Sequence, residues 1–173
     1  MGHSLVDKQL SKPMDISAIQ CEQWMKKLVR RASKIGLLGE IPVSAVILDK
    51  KGYCIGRGSN NRESQQDPLG HAEIIALKQA ALIKNDWRLN DCTLIVTLEP
   101  CPMCAGAIIQ ARMGQVVFGA SDPKRGALGG VIDLSKDRTA NHHMIVKRGV
   151  MQEVISQQLK DWFKLQRNSL LEN

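Results

Sequence analysis

From residue 16 onward, apolar side chains recur every three to five positions, at Ile16, Ile19, Trp24, Leu28, Ala32 and Ile35. That spacing predicts one buried stripe on a helix. Asp15 or Ser17 can cap the helix at its start, and Gly36 and Gly39 can stop it. Lys26, Lys27, Arg30, Arg31 and Lys34 occupy its remaining faces. Val43 to Leu48 then reads as a short strand, with Asp49-Lys50-Lys51-Gly52 as a turn into a second strand over Tyr53 to Gly56. Residues 57–70, rich in Asn, Ser, Gln, Gly and Pro, predict a loop that leads into a helix from His71 to Ile83.

The run Thr93 to Leu98 is continuously apolar but for its threonines, as expected of a strand buried on both faces. Pro102 sits where a helix tolerates proline best, in the first turn, and Ala105 to Ala111 propagates that helix. Val116 to Phe118 and Met144 to Val146 predict two further strands. Val150 to about Gln166 predicts a terminal helix with Val154, Leu159, Trp162, Phe163 and Leu165 as its apolar residues. Strands alternating with helices imply an α/β sheet with helices on its faces. The polar, small-residue stretch 1–14 is expected to be a mobile tail, and residues 15–173 one domain.

Composition adds three restrictions. No run of 18 apolar residues exists, so no membrane span is expected, and the first residues lack the apolar core of a secretory signal. Five cysteines, two of them in a C-x-x-C, do not form a disulfide framework, which points to a reducing, cytoplasmic compartment. The formal net charge of +7 is compatible with a nucleic-acid partner and equally with a merely basic protein.

The chemistry concentrates in two short segments. His71-Ala72-Glu73 is followed, 27 residues after its glutamate, by Pro100-Cys101-Pro102-Met103-Cys104. His71, Cys101 and Cys104 are three zinc-type ligands, and Glu73 is an acid two residues from the first. Structural zinc is closed by four protein ligands, whereas catalytic zinc keeps a position for water. Three ligands plus one acid therefore read as a hydrolytic centre in which Glu73 moves protons. The N/S donor set suits zinc better than magnesium or calcium, with iron as the other metal it accommodates. The competing reading is a structural zinc closed by Cys21, Cys54 or Cys92. Residues 71 and 73 would point apart inside a regular helix, so His71 is expected at the helix entry. Glu99, at a strand end before Pro100, is expected to cap or support rather than to carry protons.

H-A-E followed by P-C-x-x-C resembles the signature of zinc-dependent cytidine and nucleotide deaminases. Within that superfamily, Thr97-Leu98-Glu99-Pro100-Cys101-Pro102-Met103-Cys104-Ala105-Gly106-Ala107 is similar to bacterial tRNA-specific adenosine deaminases. Pro42-Val43, Asp67-Pro68, Val117-Phe118-Gly119-Ala120 and Asp122 are similar too, so the resemblance runs from about residue 20 to 167. It implies a three-layer α/β/α cytidine-deaminase-like fold, with a central mixed sheet of about five strands and helices on both faces. It also implies hydrolytic deamination of adenosine to inosine at the wobble position of tRNA, an arginine tRNA being expected. One Zn2+ per subunit would supply hydroxide, and Glu73 would carry protons.

By the same resemblance, Asn60 contacts the target nucleoside, Asp122 lies near the RNA backbone, and Trp162 and Phe163 touch the anticodon loop. Lys124, Arg125, Lys160, Lys164 and Arg167 are candidates for RNA backbone contacts, and at least one of the two aromatics is expected to be buried. A homodimer is implied, acting on a tRNA anticodon stem-loop. Ser44 stands where the family usually has glycine, and Leu69-Gly70 replaces a common Thr-Ala. Two other readings are a deaminase of a free base or nucleotide, of guanine or cytosine type, and a non-catalytic zinc-stabilised RNA-binding protein. The basic aromatic C-terminal end argues against the first. Glu73 and an open coordination position argue against the second.

Overall fold

The computed structural model describes residues 12–13 and 15–171, so most of the expected tail, 1–14, lies outside the described residues. Helix α1 covers Ala18–Leu37, and Ser17 caps it through a reciprocal box with Gln20. Its buried stripe differs in part from the expected one. Cys21, Met25, Leu28 and Ala32 face inward at intervals of three and four, while Ile19 is exposed. Gly39, at φ +89°, takes the left-handed conformation just past the helix end.

Strand β1 is Ser44–Leu48 and β2 is Cys54–Ser59, longer than the expected Tyr53 to Gly56. A one-turn helix, α2, Arg62–Gln65, interrupts the expected loop. Helix α3 spans Ala72–Lys84, β3 Thr93–Leu98, α4 Pro102–Gln110 and β4 Gln115–Ala120. A single 3-10 turn at Leu134–Lys136 precedes β5, Ile145–Lys147, and helix α5, Gln152–Leu171, ends the described chain.

The five strands form one mixed sheet in the order β2-β1-β3-β4-β5. β1 is antiparallel to β2 and β3, whereas β3, β4 and β5 run parallel. Alternation along the central strands builds two cores. Ala45, Ile47, Leu94, Val96, Val116 and Phe118 pack against α3 and α4 on one face. Val46, Leu48, Ile95 and Val117 pack against α1 and α5 on the other, with Met25, Leu28, Ile155 and Leu159. This is the three-layer α/β/α arrangement, with helices on both faces of a five-stranded mixed sheet.

The inward stripe of α5 also departs from expectation. Ile155 and Leu159 are its buried positions, whereas Val154, Phe163 and Leu165 are exposed. Trp162 is half-buried and Phe163 is 43% exposed, so neither aromatic is buried in this chain. Trp162 Nε1 donates to Gly36 O at 2.9 Å, and the ring lies edge-on to Phe163 with centroids 5.0 Å apart.

Candidate metal and catalytic site

The parallel strand β3 ends at Leu98, and the chain passes through Glu99 and Pro100 to Cys101, the N-cap of α4. His71 is the N-cap of α3, with extended φ/ψ of −87° and 144°. The two helix starts converge, and His71 stands at its helix entry as the spacing of residues 71 and 73 predicts. Because His71 stands before the helical geometry begins, its ring and the Glu73 side chain reach the same cavity. Pro102 at N1 forfeits no hydrogen bond and places Cys104 one turn above Cys101.

His71 Nδ1 lies 3.5 Å from Cys104 Sγ and 3.8 Å from Cys101 Sγ. All three donor atoms fall within 4.8 Å of one another, so one ion can reach each of them. Cys21, Cys54 and Cys92 do not join the group; Cys21 packs in the α1 layer, Cys54 accepts from Arg57 and Cys92 sits beside Lys84 and Asp91. A fourth cysteine ligand is therefore not supplied. One imidazole and two thiols with a carboxylate at hand fit a soft divalent metal that leaves one position for water.

Charge at this cluster is poised for a cation. The hydrogen bond from the Cys104 thiol, together with His71, pushes the Cys101 thiol down to about 3 against the opposing effect of burial. That same bond and burial push the Cys104 thiol up, so binding of a metal has to release its proton. The Cys101 thiolate also raises the basicity of the His71 ring. Burial pushes the Glu73 carboxyl up to about 7, where it can take or give a proton near neutrality.

The donors open on a cavity of about 260 Å³. His71, Glu73 and Cys101 lie at its base, Ile41, Val43, Leu98 and Met103 give it apolar walls, and Asn60, Arg62, Asp122 and Arg125 bring polar groups. Asn60 is buried, and its Oδ1 accepts the Ala72 N–H at 3.0 Å. It thus serves the start of α3 as well as the cavity. Asp122 accepts from Lys124 N at 2.8 Å and Arg125 N at 3.1 Å, which turns the chain so that residues 122 and 125 both face the cavity.

Glu99 is buried and fully used. Its Oε1 accepts from Leu128 N (3.0 Å) and Gly130 N (2.8 Å), and its Oε2 from Asp122 N (3.0 Å). It is the anchor of the loop that carries Asp122 and Arg125, in line with its expected supporting role. Gly126 and Gly130 leave room for it, since a Cβ there would lie 2.3 and 2.4 Å from its Oε2.

Arg62, one of the cavity residues, carries no signal in the sequence because its segment reads as a plain turn. Trp162 and Phe163 do not line the cavity; Trp162 packs on α1 near Pro42, one residue from the cavity wall at Ile41. Lys124, Lys160, Lys164 and Arg167 are not among the residues that line it. His142 and His143 bond the backbone oxygens of Met113 and Ser135, in structural roles.

The family model for MafB19-like deaminases matches residues 19–164. The tRNA-specific adenosine deaminase of Haemophilus influenzae is 46% identical over 146 residues, 84% of each chain. This chain belongs to the tRNA-specific adenosine deaminase family. The Bacillus subtilis tRNA-specific adenosine deaminase is 41% identical over 145 residues, 84% of this chain and 89% of that relative. A structure solved in a study of A-to-I editing by tRNA:A34 deaminases at the wobble position of transfer RNA matches at TM-score 0.75 and 32% identity. It covers 79% of this chain and 98% of its own. The likeness to that structure bears out the cytidine-deaminase-like α/β/α fold. Among the described residues, no helix is long and apolar enough to cross a membrane.

Proposed function

We propose that this protein deaminates adenosine to inosine at the wobble position of a tRNA, with an arginine tRNA as its substrate. Water is consumed and ammonia released. The observation that carries the reading is the buried Glu73 facing one cavity with His71, Cys101 and Asn60. His71, Cys101 and Cys104 would hold one Zn2+ per subunit, which when bound polarises a water molecule and lowers its pKa.

Glu73 does the proton work. A carboxyl with its pKa near 7 takes one proton as water attacks C6 and delivers it to the purine ring nitrogen. It then takes the second from the new C6 hydroxyl as the carbonyl forms and passes it to the amine, which leaves as ammonia. Burial keeps bulk water from levelling that balance. Asn60, with its Oδ1 committed to Ala72, presents its remaining amide donors to the nucleoside. Arg62, Asp122 and Arg125 stand at the cavity for the flanking backbone. The names of the Haemophilus and Bacillus relatives support RNA over a free base, as does the basic, aromatic α5.

The protein is expected to work as a homodimer in the cytoplasm. Incubation with an arginine-tRNA anticodon stem-loop bearing A at the wobble position, and in parallel with guanine and free cytidine, tests the reading. Inosine in the stem-loop, with the free compounds untouched, is the expected result. Turnover of guanine or cytidine with an unaltered stem-loop would overturn it. Sedimentation of the same preparation reads the dimer.

A further inference from the structure

The outer face of α1 carries a cationic stripe that the chemistry in the cavity does not use. Across Ala18–Leu37 the helix holds five Lys and Arg residues against one acid, Glu22. Lys26 takes that acid at 2.7 Å, and Arg31 is drawn toward the sheet, its Nε donating to Ser59 Oγ at 2.7 Å. Lys27, Arg30 and Lys34 remain, all exposed, at positions i, i+3 and i+7 of one face. None of the three has an acidic partner among the described residues. Lys27 instead lies over the Trp24 ring at 4.5 Å. Like charges at this spacing weaken a helix, so an external anion would relieve them.

The stripe has a direction. Past its C-terminal end, α1 leads through Glu40 to Ile41 in the wall of the catalytic cavity. Lys34 therefore lies at the cavity end of the stripe and Lys27 roughly 10 Å further back along the axis. Helix α5 lies alongside and runs the same way. Gln158 bonds Val29 O and Ser33 Oγ, and four residues on Trp162 bonds Gly36 O. A length of about 10 Å spans about three phosphates of one duplex strand, at roughly 3.4 Å of axis each.

We propose that Lys27, Arg30 and Lys34 are a docking track for the sugar–phosphate backbone of an RNA stem, the stem that continues from the loop whose base enters the cavity. The proposal rests on the tRNA reading above and adds the surface that carries the rest of that substrate. A membrane surface fits less well. A helix that lies in a bilayer needs its apolar face outward, and the apolar face of α1, Cys21, Met25, Leu28 and Ala32, is packed against the sheet.

The test compares the wild-type protein with a triple variant, Lys27→Ala, Arg30→Ala and Lys34→Ala. Substrates are full-length tRNA and a minimal anticodon loop closed by two base pairs. Without the three cations that would neutralise phosphates, the salt slope of log(kcat/KM) on full-length tRNA should fall by about 3. KM for that substrate should rise at least fivefold at low salt, with kcat at saturation unchanged. On the minimal loop, kcat/KM should not move. A Lys27→Arg, Lys34→Arg variant, which keeps the charges, should behave as wild type.

Equal losses on both substrates, or an unaltered salt slope, would overturn the track. So would loss of co-sedimentation with phosphatidylserine vesicles while RNA affinity stays unchanged. Should wild-type protein deaminate neither RNA, the tRNA reading fails by itself. Fluorescence anisotropy with a labelled RNA hairpin then decides the track: weaker binding by the triple variant upholds it, and equal binding removes it.

Discussion

Asn60 Oδ1 accepts the backbone N–H of Ala72 at 3.0 Å, so a residue of the cavity wall also ties down the first turn of the helix that bears Glu73. Binding and folding meet in that one side chain, and substitutions can separate them. Asn60→Ala leaves the buried Ala72 N–H without its partner and should cost about 1 to 3 kcal/mol of stability, and should lower kcat/KM as well. Asn60→Asp keeps the acceptor for Ala72 N–H but places a carboxylate in a buried site beside Glu73, and it should still lose kcat/KM because its second oxygen cannot donate. Urea midpoints and steady-state kinetics on the same preparations give the two readouts. Equal stability of Asn60→Ala and wild type would remove the anchoring role of this bond.

Glu73→Gln should retain metal at one equivalent and lose turnover by about 10² to 10⁴. Metal content by mass spectrometry distinguishes this from damage to the ligand set. A pH dependence follows as well. Burial raises the Glu73 carboxyl from 4.5 to about 7 in the folded, metal-free chain. Between those values the unfolded state has released the proton and the folded state still holds it, so stability falls as pH rises through this window. In Glu73→Gln that contribution is absent. The stability difference between variant and wild type should therefore shift in the variant's favour from pH 4.5 to 7, as read from urea unfolding of metal-free protein.

Glu99→Gln replaces one acceptor oxygen by an amide donor in a site with three converging N–H groups. At least one of these loses its partner, at a cost of about 1 to 3 kcal/mol. Hydrogen exchange of the Asp122, Leu128 and Gly130 amides should accelerate, and KM for the RNA should rise with the loop that carries Asp122 and Arg125. Gly126→Ala should be worse, because the carboxylate it would strike is pinned from three sides. Protected amides in Glu99→Gln would show that the loop holds itself.

Trp162 and Phe163 are adjacent but differently employed. Trp162→Phe removes the bond to Gly36 O and should cost about 1 kcal/mol of stability. Phe163→Ala removes an exposed ring and should leave thermal stability nearly unchanged while weakening stem-loop binding, by about 1 to 3 kcal/mol if a base stacks on it. Thermal melts paired with anisotropy titrations separate the two. A Phe163→Ala variant with undiminished RNA affinity would take that ring out of the interface.

Strong periodicity makes most of the fold legible in the sequence. The β3 bounds and the starts of α3 and α4 follow from a continuous apolar run, a proline at N1 and the awkward spacing of His71 and Glu73. The full length of β2 is hidden for a physical reason. Gly56 and Gly58 deny the strand its alternating bulk because α3 packs directly on the backbone there, leaving no room for side chains at those two positions. Ile155 is hard to single out because the exposed Val154 and Leu165 blur the period of α5. In the site, the ligands and Glu73 are readable because metal chemistry restricts residue type. Arg62 is not, since its entry into the cavity depends on the short helix α2 and on how the segment from 60 to 70 folds back.

Where β2 meets α3, a Cβ on Gly58 would lie 1.8 Å from Ala72 O, and one on Gly56 2.4 Å from Ala76 O. Two backbones this close leave no room for side chains between them, so Asn60 at the strand's exit and His71 at the helix's entry are held at a fixed separation. Rim positions such as Arg62 and Arg125 are free of that constraint, because their exposed side chains can change without shifting either backbone. Attempts to redirect the enzyme by random mutation should therefore accumulate their successes at the rim and their casualties along β2.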